Sequence, residues 1–317
     1  MSDQLTVVYA NPENLFMAGY SVVGTVVLTA HKMIRVKQLY IEVKCDANTG
    51  WVNKASDKIY ESSENYMTEK IDMGVVNVTL PPGKHGYPFR CAIGTNCPSS
   101  FEGEYGSVRY ATRVVLATSE DPSVTLVVPF TVLARVNLGN MPSAKRPIEA
   151  KDNTDFTCCC VPFGRVKTTI NLPRSGFLIG EEVPIRMRIS NESRTKIDMC
   201  RFMFVITARS RARSRYENAE DTKLREYIIE QKDAPSVPPR CVRLIDDCTL
   251  KIPSKAVPTF EGRIIGLTYL LRFTANPGIE VEIPIIIATS DTEERHQILS
   301  DEGFDEGIQE DTSIVYC

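Results

Sequence analysis

Apolar and polar residues alternate along most of this chain with the period of a β-strand. Stretches such as "YSVVGTVVLTA", "KQLYIEVKC", "GVVNVTL", "SVRYATRVVLAT" and "SVTLVVPFTVLARV" are rich in β-branched and aromatic residues, and turn material such as "TLPPGKHG" and "SEDPS" divides them. After Phe101, Val108, Tyr110, Thr112, Val114 and Leu116 share one face at period two, while Arg109, Ala111, Arg113 and Val115 take the other. A strand that covers a core on one side has this pattern. Leu267, Tyr269, Leu271 and Phe273 form the matching face further on. Gly103 and Gly262 are expected to supply a bulge or a positive φ where these strands begin. Helical signals are few: "NAEDTKLREYIIEQ" reads as a helix or equally as a charged hairpin. Many short strands with regular turns predict an all-β chain of sandwich type.

The pattern is written twice. "FEGEYGSVRYATR" from Phe101 matches "FEGRIIGLTYLLR" from Phe260 at an offset of 159, and "FMAGYSV" from Phe16 matches "FLIGEEV" from Phe177 at an offset of 161. Two pairs in one order at nearly one spacing predict two copies of a domain of roughly 150 residues, a size at which one core is complete. The join falls in the polar stretch 137–155, which lacks periodicity. The expected organisation is a first sandwich over 1–145, a linker over 146–155, a second sandwich over 156–290 and an acidic flexible tail over 291–317.

Composition narrows the class. With 317 residues, 43% hydrophobic and 24% charged, the chain has an ordinary soluble globular make-up. No 18-residue apolar run and no secretory leader are present, so the expected compartment is the cytosol. The ten cysteines lack CxxC pairs, and His31, His85 and His296 are widely separated, which leaves no metal-ligand spacing. The segment from Asp291 to the end holds nine acidic residues and one basic, a charge of −8; with −3 in total, the rest carries +5. No nucleophile elbow, phosphate-binding loop or zinc-protease motif occurs. Glu181 and Glu182 are adjacent on a strand and so point to opposite faces rather than forming a dyad. The expectation is no enzyme, no cofactor and no nucleic-acid partner.

The motifs resemble those of the arrestin-fold family, specifically its arrestin-domain-containing (α-arrestin) branch. "LPPGKHGYPFRCAI" and "PSSFEGEYGSVRYATRVVL" are similar to the N-terminal arrestin domain. "CCCVPFGRVKTTINLPRSGFLIGEEVPIRMRISNES", "CTLKIPSKAVPTFEGRIIGLTYLLRFTA" and "VEIPIIIAT" are similar to the C-terminal one. The resemblance implies two tandem immunoglobulin-like antiparallel β-sandwiches joined by a short hinge, with a concave face on each. It also implies a cytosolic adaptor, recruited to plasma membrane or endosomes, that binds membrane-receptor or transporter tails, phosphorylated or not, and links them to endocytosis, endosomal sorting or ubiquitin ligases. The branch typically recruits ligases through PPxY motifs. Here the Pro-Pro pairs at Pro81 and Pro238 are not followed by tyrosine, so that route is not carried over. Alternative readings are a retromer-type sorting subunit and a phosphoinositide or membrane-surface scaffold.

Four arginines, Arg209, Arg211, Arg213 and Arg215, alternate in "ITARSRARSRYEN". On a strand they face one side about 6.6 Å apart, and four unpaired guanidinium groups at that spacing call for anions: phosphorylated cargo tails, anionic lipid headgroups or the acidic tail itself. The plainer reading is a charged strand end that blocks edge pairing. An acidic tail lying over the basic body as an autoinhibitory latch follows as a hypothesis, tested by deleting 291–317. Cys158, Cys159 and Cys160 beside the hinge are candidates for S-palmitoylation or redox sensing, against a plain strand start. "ERHQIL" at 294–299 approaches an acidic dileucine signal, and Ser300, Thr312 and Ser313 lie in kinase-like acidic context. Lys84 and His85 are read as a solvated loop tip.

Overall fold

Val22, Val26, Leu28 and Ala30 alternate with half-exposed residues along one strand, and the buried set faces a core; this period-two rule builds nearly the whole molecule. The computed structural model describes residues 4–119, 123–158 and 161–292. In its first half the strands are β1 (Gln4–Tyr9), β2 (Leu15–Met17), β3 (Ser21–Ala30), β4 (Ile34–Asn53), β5 (Lys58–Leu80), β6 (Gly83–Ala92), β7 (Phe101–Gly103), β8 (Gly106–Thr118) and β9 (Val124–Leu133). The second half adds β10 (Ile148–Cys158), β11 (Val161–Leu172), β12 (Gly176–Leu178), β13 (Glu182–Asn191), β14 (Asp198–Ser214) and β15 (Glu220–Asp233). It ends with β16 (Val242–Lys251), β17 (Phe260–Glu261), β18 (Ile265–Asn276) and β19 (Ile279–Ala288).

Each half is a sandwich. In the first, sheet β1-β3-β6 faces β5-β4-β8-β9-β2; in the second, β10-β11-β13-β16 faces β12-β19-β18-β14, with β15 on the other edge of β14. Neighbours run antiparallel except β2 with β9 and β12 with β19. Two main cores result. One centres on Val26, Leu39, Ile41, Val114 and Leu116, the other on Ile170, Phe177, Ile189, Phe202 and Phe273. A third, small cluster of Val136, Leu138, Ala144 and Ala288 seats the connection between them.

The repeated motifs occupy equivalent places. Phe101 faces Val108 across the β7–β8 pair, and Phe260 faces Leu267 across β17–β18. Phe16 on β2 lies parallel to Val132, as Phe177 on β12 lies parallel to Ile287.

Several expectations change. Residues 148–158, read as mostly linker, form β10, an edge strand paired along its length with β11; the connection proper is two short 3-10 turns, Leu138–Asn140 and Pro142–Lys145. The "NAEDTKLREYIIEQ" segment resolves as the charged hairpin strand β15, since its Glu220–Asp233 span pairs with Arg201–Arg213 of β14. Gly103 and Gly262 have neither positive φ nor a register shift. They are glycine for lack of room: a Cβ at Gly103 would lie 2.6 Å from the Phe101 ring, and one at Gly262 would lie 2.5 Å from the Ile265 carbonyl and 2.7 Å from the Tyr66 hydroxyl. Lys84 and His85 begin β6 rather than forming a loop tip, opposite Thr29 and Leu28.

The two halves share one sheet. β14 pairs with β18 up to Ser210, then with β5 through Arg213 opposite Glu61 and Ser214 opposite Tyr60. This handover along one edge of β14 joins the two modules and sets the place of the candidate site.

Candidate functional site

Along β14, Ala208, Ser210 and Ala212 are buried, so Arg209, Arg211 and Arg213 point to the outer face as expected. Arg215 follows just past the strand end. The expectation of four unpaired guanidinium groups is overturned for three of them. Arg209 pairs with Glu261 and donates to the Gly262 carbonyl at 3.0 Å. Arg213 meets Glu220 at 2.9 Å, its direct cross-strand neighbour on β15. Arg215 makes a two-pronged contact with Glu61 at 3.0 and 2.7 Å, and these bonds hold the Glu61 carboxyl below its usual range. The physical reason is register: β15, β17 and β5 each bring a carboxylate alongside β14.

Arg211 is different. It is exposed and has no ion-pair or side-chain hydrogen-bond partner among the described residues. It sits in the handover itself, where its backbone N–H donates to the Ile264 carbonyl at 2.8 Å and its own carbonyl accepts from Thr49 Oγ1 at 2.7 Å. The strands part there and leave a cleft of about 490 Å³ lined by Ser62, Ser63 and Glu64 from β5, Arg211 and Arg213 from β14, Glu220 from β15, and Arg263. Arg263 Nε lies 2.7 Å from Glu64, whose side chain is largely buried. Sequence reasoning found the arginines of β14 but missed Ser62, Ser63, Glu64 and Arg263. They lie about 150 residues away or in an ordinary loop, and no local signal marks them.

Polar contacts between the modules surround the cleft. Trp51 Nε1 donates to Asp221 at 3.0 Å while its ring stacks on Tyr60. Lys58 pairs with Glu217 at 2.7 Å, Arg225 with Glu104 at 2.9 Å, and the Arg213 N–H donates to Ser62 Oγ at 3.1 Å. The arrangement presents hydroxyl donors and an uncommitted guanidinium over a joint. That equipment suits an oxyanion-bearing ligand.

Other expectations find different places. Cys158 ends β10, while Cys159 and Cys160 lie outside the described residues. So do the acidic segment beyond Thr292, the 294–299 motif and Ser300, Thr312 and Ser313. Burial pushes the Cys45 thiol up to about 12 and Cys91 to about 11, so neither supplies thiolate near neutral pH. Among the described residues no group of three His, Cys, Asp or Glu side chains is placed to hold a metal ion. No helix there is long and apolar enough to cross a membrane.

Comparison with known proteins agrees with this geometry. Residues 5–139 match the family model for the arrestin (or S-antigen) N-terminal domain, and residues 162–292 match that for the C-terminal domain. Arrestin domain-containing protein 15 of Caenorhabditis elegans is 36% identical over 296 residues, covering 90% of this chain and 79% of the relative. Arrestin domain-containing protein 17 of the same organism is 24% identical over 90% of this chain and 70% of its own length. Human arrestin domain-containing protein 1 is 28% identical over 48% of this chain and 35% of its own length. Two sandwiches with matching motifs in matching places, sharing one sheet, and a relative similar along nearly the whole chain lead to one assignment: the chain belongs to the arrestin family, among the arrestin domain-containing proteins.

Proposed function

We propose that this chain is a cytosolic, non-enzymatic adaptor that binds the tails of receptors or transporters and links them to endocytic, endosomal-sorting or ubiquitination machinery. The observation that supports it most directly is Arg211, the one guanidinium of the β14 stripe without a carboxylate, standing over a cleft at the joint of the two modules. An acidic or phosphorylated side chain entering there finds Arg211 uncommitted, beside Arg213 and Arg263, whose partners Glu220 and Glu64 line the same cleft. Serine hydroxyls from β5 supply uncharged donors. Because the walls come from both modules, a ligand seated there touches both, which suits an adaptor that senses cargo. Within these residues neither Pro-Pro pair, at Pro81 or Pro238, has tyrosine at the fourth position, so no PPxY motif is assigned to them.

Proximity labelling in living cells tests the reading, comparing the chain with a double variant, Arg211→Gln and Arg263→Gln. The expected result is enrichment of membrane-spanning transporters or receptors and of sorting proteins, reduced in the variant. A labelled set without membrane proteins, or one the variant leaves unchanged, overturns it. A stoichiometric complex recovered intact from extract would instead favour the retromer-type subunit.

A further inference from the structure

Ser63 stands opposite Arg211 across the cleft. Where β14 and β5 still pair, Ser214 faces Tyr60 and Arg213 faces Glu61. Continued by two residues, that antiparallel register sets Arg211 against Ser63, where the ladder has stopped and the strands part. Both belong to the outer face: Ala212 and Thr49 beside them are buried, whereas Ser63 and Arg211 are exposed. On its other side Ser63 pairs with Asn48 of β4, which is exposed as well. None of the side chains of Asn48, Ser63 and Arg211 has a hydrogen bond or ion pair among the described residues. An unengaged hydroxyl therefore lies between an unengaged amide and an unengaged guanidinium.

The neighbouring serine does not share this position. Ser62 is half-buried, and its Oγ accepts the Arg213 N–H at 3.1 Å. The carboxylates around Ser63 are already held. Glu61, two residues before it on the same face, is bound by Arg215, and Glu220 by Arg213. Glu64 is paired with Arg263, and Asp46 accepts from the Asn65 amide at 2.7 Å. An anion added at Ser63 thus meets one uncommitted cation and no uncommitted carboxylate.

We propose that Ser63 is a site of phosphorylation, and that its phosphate is held by Arg211 and the Asn48 amide so that the chain fills its own cleft. A serine/threonine kinase supplies the group. The bond from the γ-phosphorus of ATP to the β–γ bridging oxygen breaks, and a P–O bond forms to Ser63 Oγ. ADP leaves with the bonding pair, and the hydroxyl proton passes to solvent. From Ser62 onward β5 pairs with β4 alone, so the acceptor hydroxyl stands on an extended strand whose other edge opens on the cleft. The product carries a charge of about −1.5 to −2 and three acceptor oxygens, which a guanidinium grips by two parallel bonds. β5 of the first module is then tied to β14 of the second at the handover. The modification site stands on this geometry alone. Its consequence, exclusion of the anionic group of a cargo tail, rests on the adaptor reading above.

Phosphoserine installed at position 63 of the full chain by codon reassignment tests the geometry. In a phosphorus NMR titration, contact with Arg211 favours the dianion, so the second pKa of the phosphate should fall about one unit below its ordinary value of about 6. Arg211→Gln should return it towards about 6. Phosphoserine at the exposed turn residue Ser56 should show the ordinary value with or without Arg211. An unchanged melting temperature verifies that Arg211→Gln is folded. The chain phosphorylated at Ser63 should retain an immobilised phosphoserine peptide about tenfold less than the unmodified chain. Chain isolated from cells with serine/threonine phosphatases inhibited should carry phosphate at Ser63 by peptide mass spectrometry. An unshifted pKa, a shift that survives Arg211→Gln, or phosphate confined to other residues in cells would overturn the inference. If neither chain retains the peptide, the adaptor reading fails, while the titration still decides the site at Ser63.

Discussion

Tyr110 and Tyr269 make the same bond in the two modules: each buried hydroxyl donates to the backbone carbonyl twelve residues upstream, Pro98 for one and Val257 for the other. Each thereby ties a central strand to the segment leading into the short FEG strand. Tyr→Phe at either site leaves a buried carbonyl without its donor, a change that costs about 1–3 kcal/mol. Urea unfolding should show the loss for each variant singly. Since the bonds lie in separate cores, the double variant should lose close to the sum.

Burial raises the pKa of both hydroxyls above the ordinary tyrosine value of 10.0. The folded state therefore keeps these protons after the unfolded chain has released them. Stability is intact below pH 10 and falls as pH rises above it. Tyr110→Phe should flatten that alkaline decline relative to the parent, as read from melting temperatures across the alkaline range. An identical slope in both proteins would contradict this assignment.

The tyrosines, like the FEG motif, were legible in the sequence because they belong to strands whose period-two pattern faces a core and is written twice. Half-buried edge strands were less legible. β10, with the sequence "IEAKDNTDFTC", is half-buried on one face and exposed on the other, but Asp152 and Thr154 interrupt the apolar side made by Ile148, Ala150 and Phe156, so hydropathy displays its alternation only weakly. β15 hides for the same reason. The charge state of the arginine stripe was beyond reach for another cause. Glu61 lies 154 residues from Arg215 in sequence, and only the handover of β14 from β18 to β5 brings them together. Local pattern gives elements and their copies; partners supplied by distant strands need the fold.

Arg272 shows what such distant partners contribute. It is 19% exposed and is gripped by Glu226 through two bonds of 2.8 and 2.9 Å, with Glu282 and Glu280 on its other side. Hydrogen bonding to Arg272 lowers the pKa of Glu226. A carboxylate so depressed stabilises the fold above its unfolded pKa, and the effect disappears as pH falls through the folded value. Because Glu226 is half-exposed, Glu226→Gln should cost only about 1 kcal/mol at neutral pH. Parent and variant should converge in acid, below the ordinary glutamate range; a gap that persists undiminished there would argue against an ionic origin.

Gly262 sits where the modules touch. An added Cβ meets the Ile265 carbonyl at 2.5 Å and the Tyr66 hydroxyl of the first module at 2.7 Å, and neither a backbone group nor a tyrosine ring yields cheaply. Gly262→Ala should therefore destabilise by about 1–3 kcal/mol through overpacking. Gly103→Ala offers a comparison, because its obstacle is the Phe101 ring of its own strand. Limited proteolysis should show the junction strands β5 and β14 more accessible in the Gly262 variant and unaltered in the Gly103 variant.

Arg209 and Arg211 are two residues apart on the same face of β14, yet they should respond oppositely to the same change. Arg209 is 17% exposed and bridges the β17 carboxylate Glu261 and the Gly262 carbonyl. Arg209→Gln leaves both acceptors short of a donor and should cost about 1–3 kcal/mol. Arg211 has no such obligation, so Arg211→Gln should fall within about 0.5 kcal/mol of the parent. Its effect should appear instead in ligand capture, as weaker retention of acidic or phosphorylated peptides on immobilised protein. Equal stability losses in the two variants would place Arg211 among the structural arginines and remove the basis for reading the cleft as a ligand site.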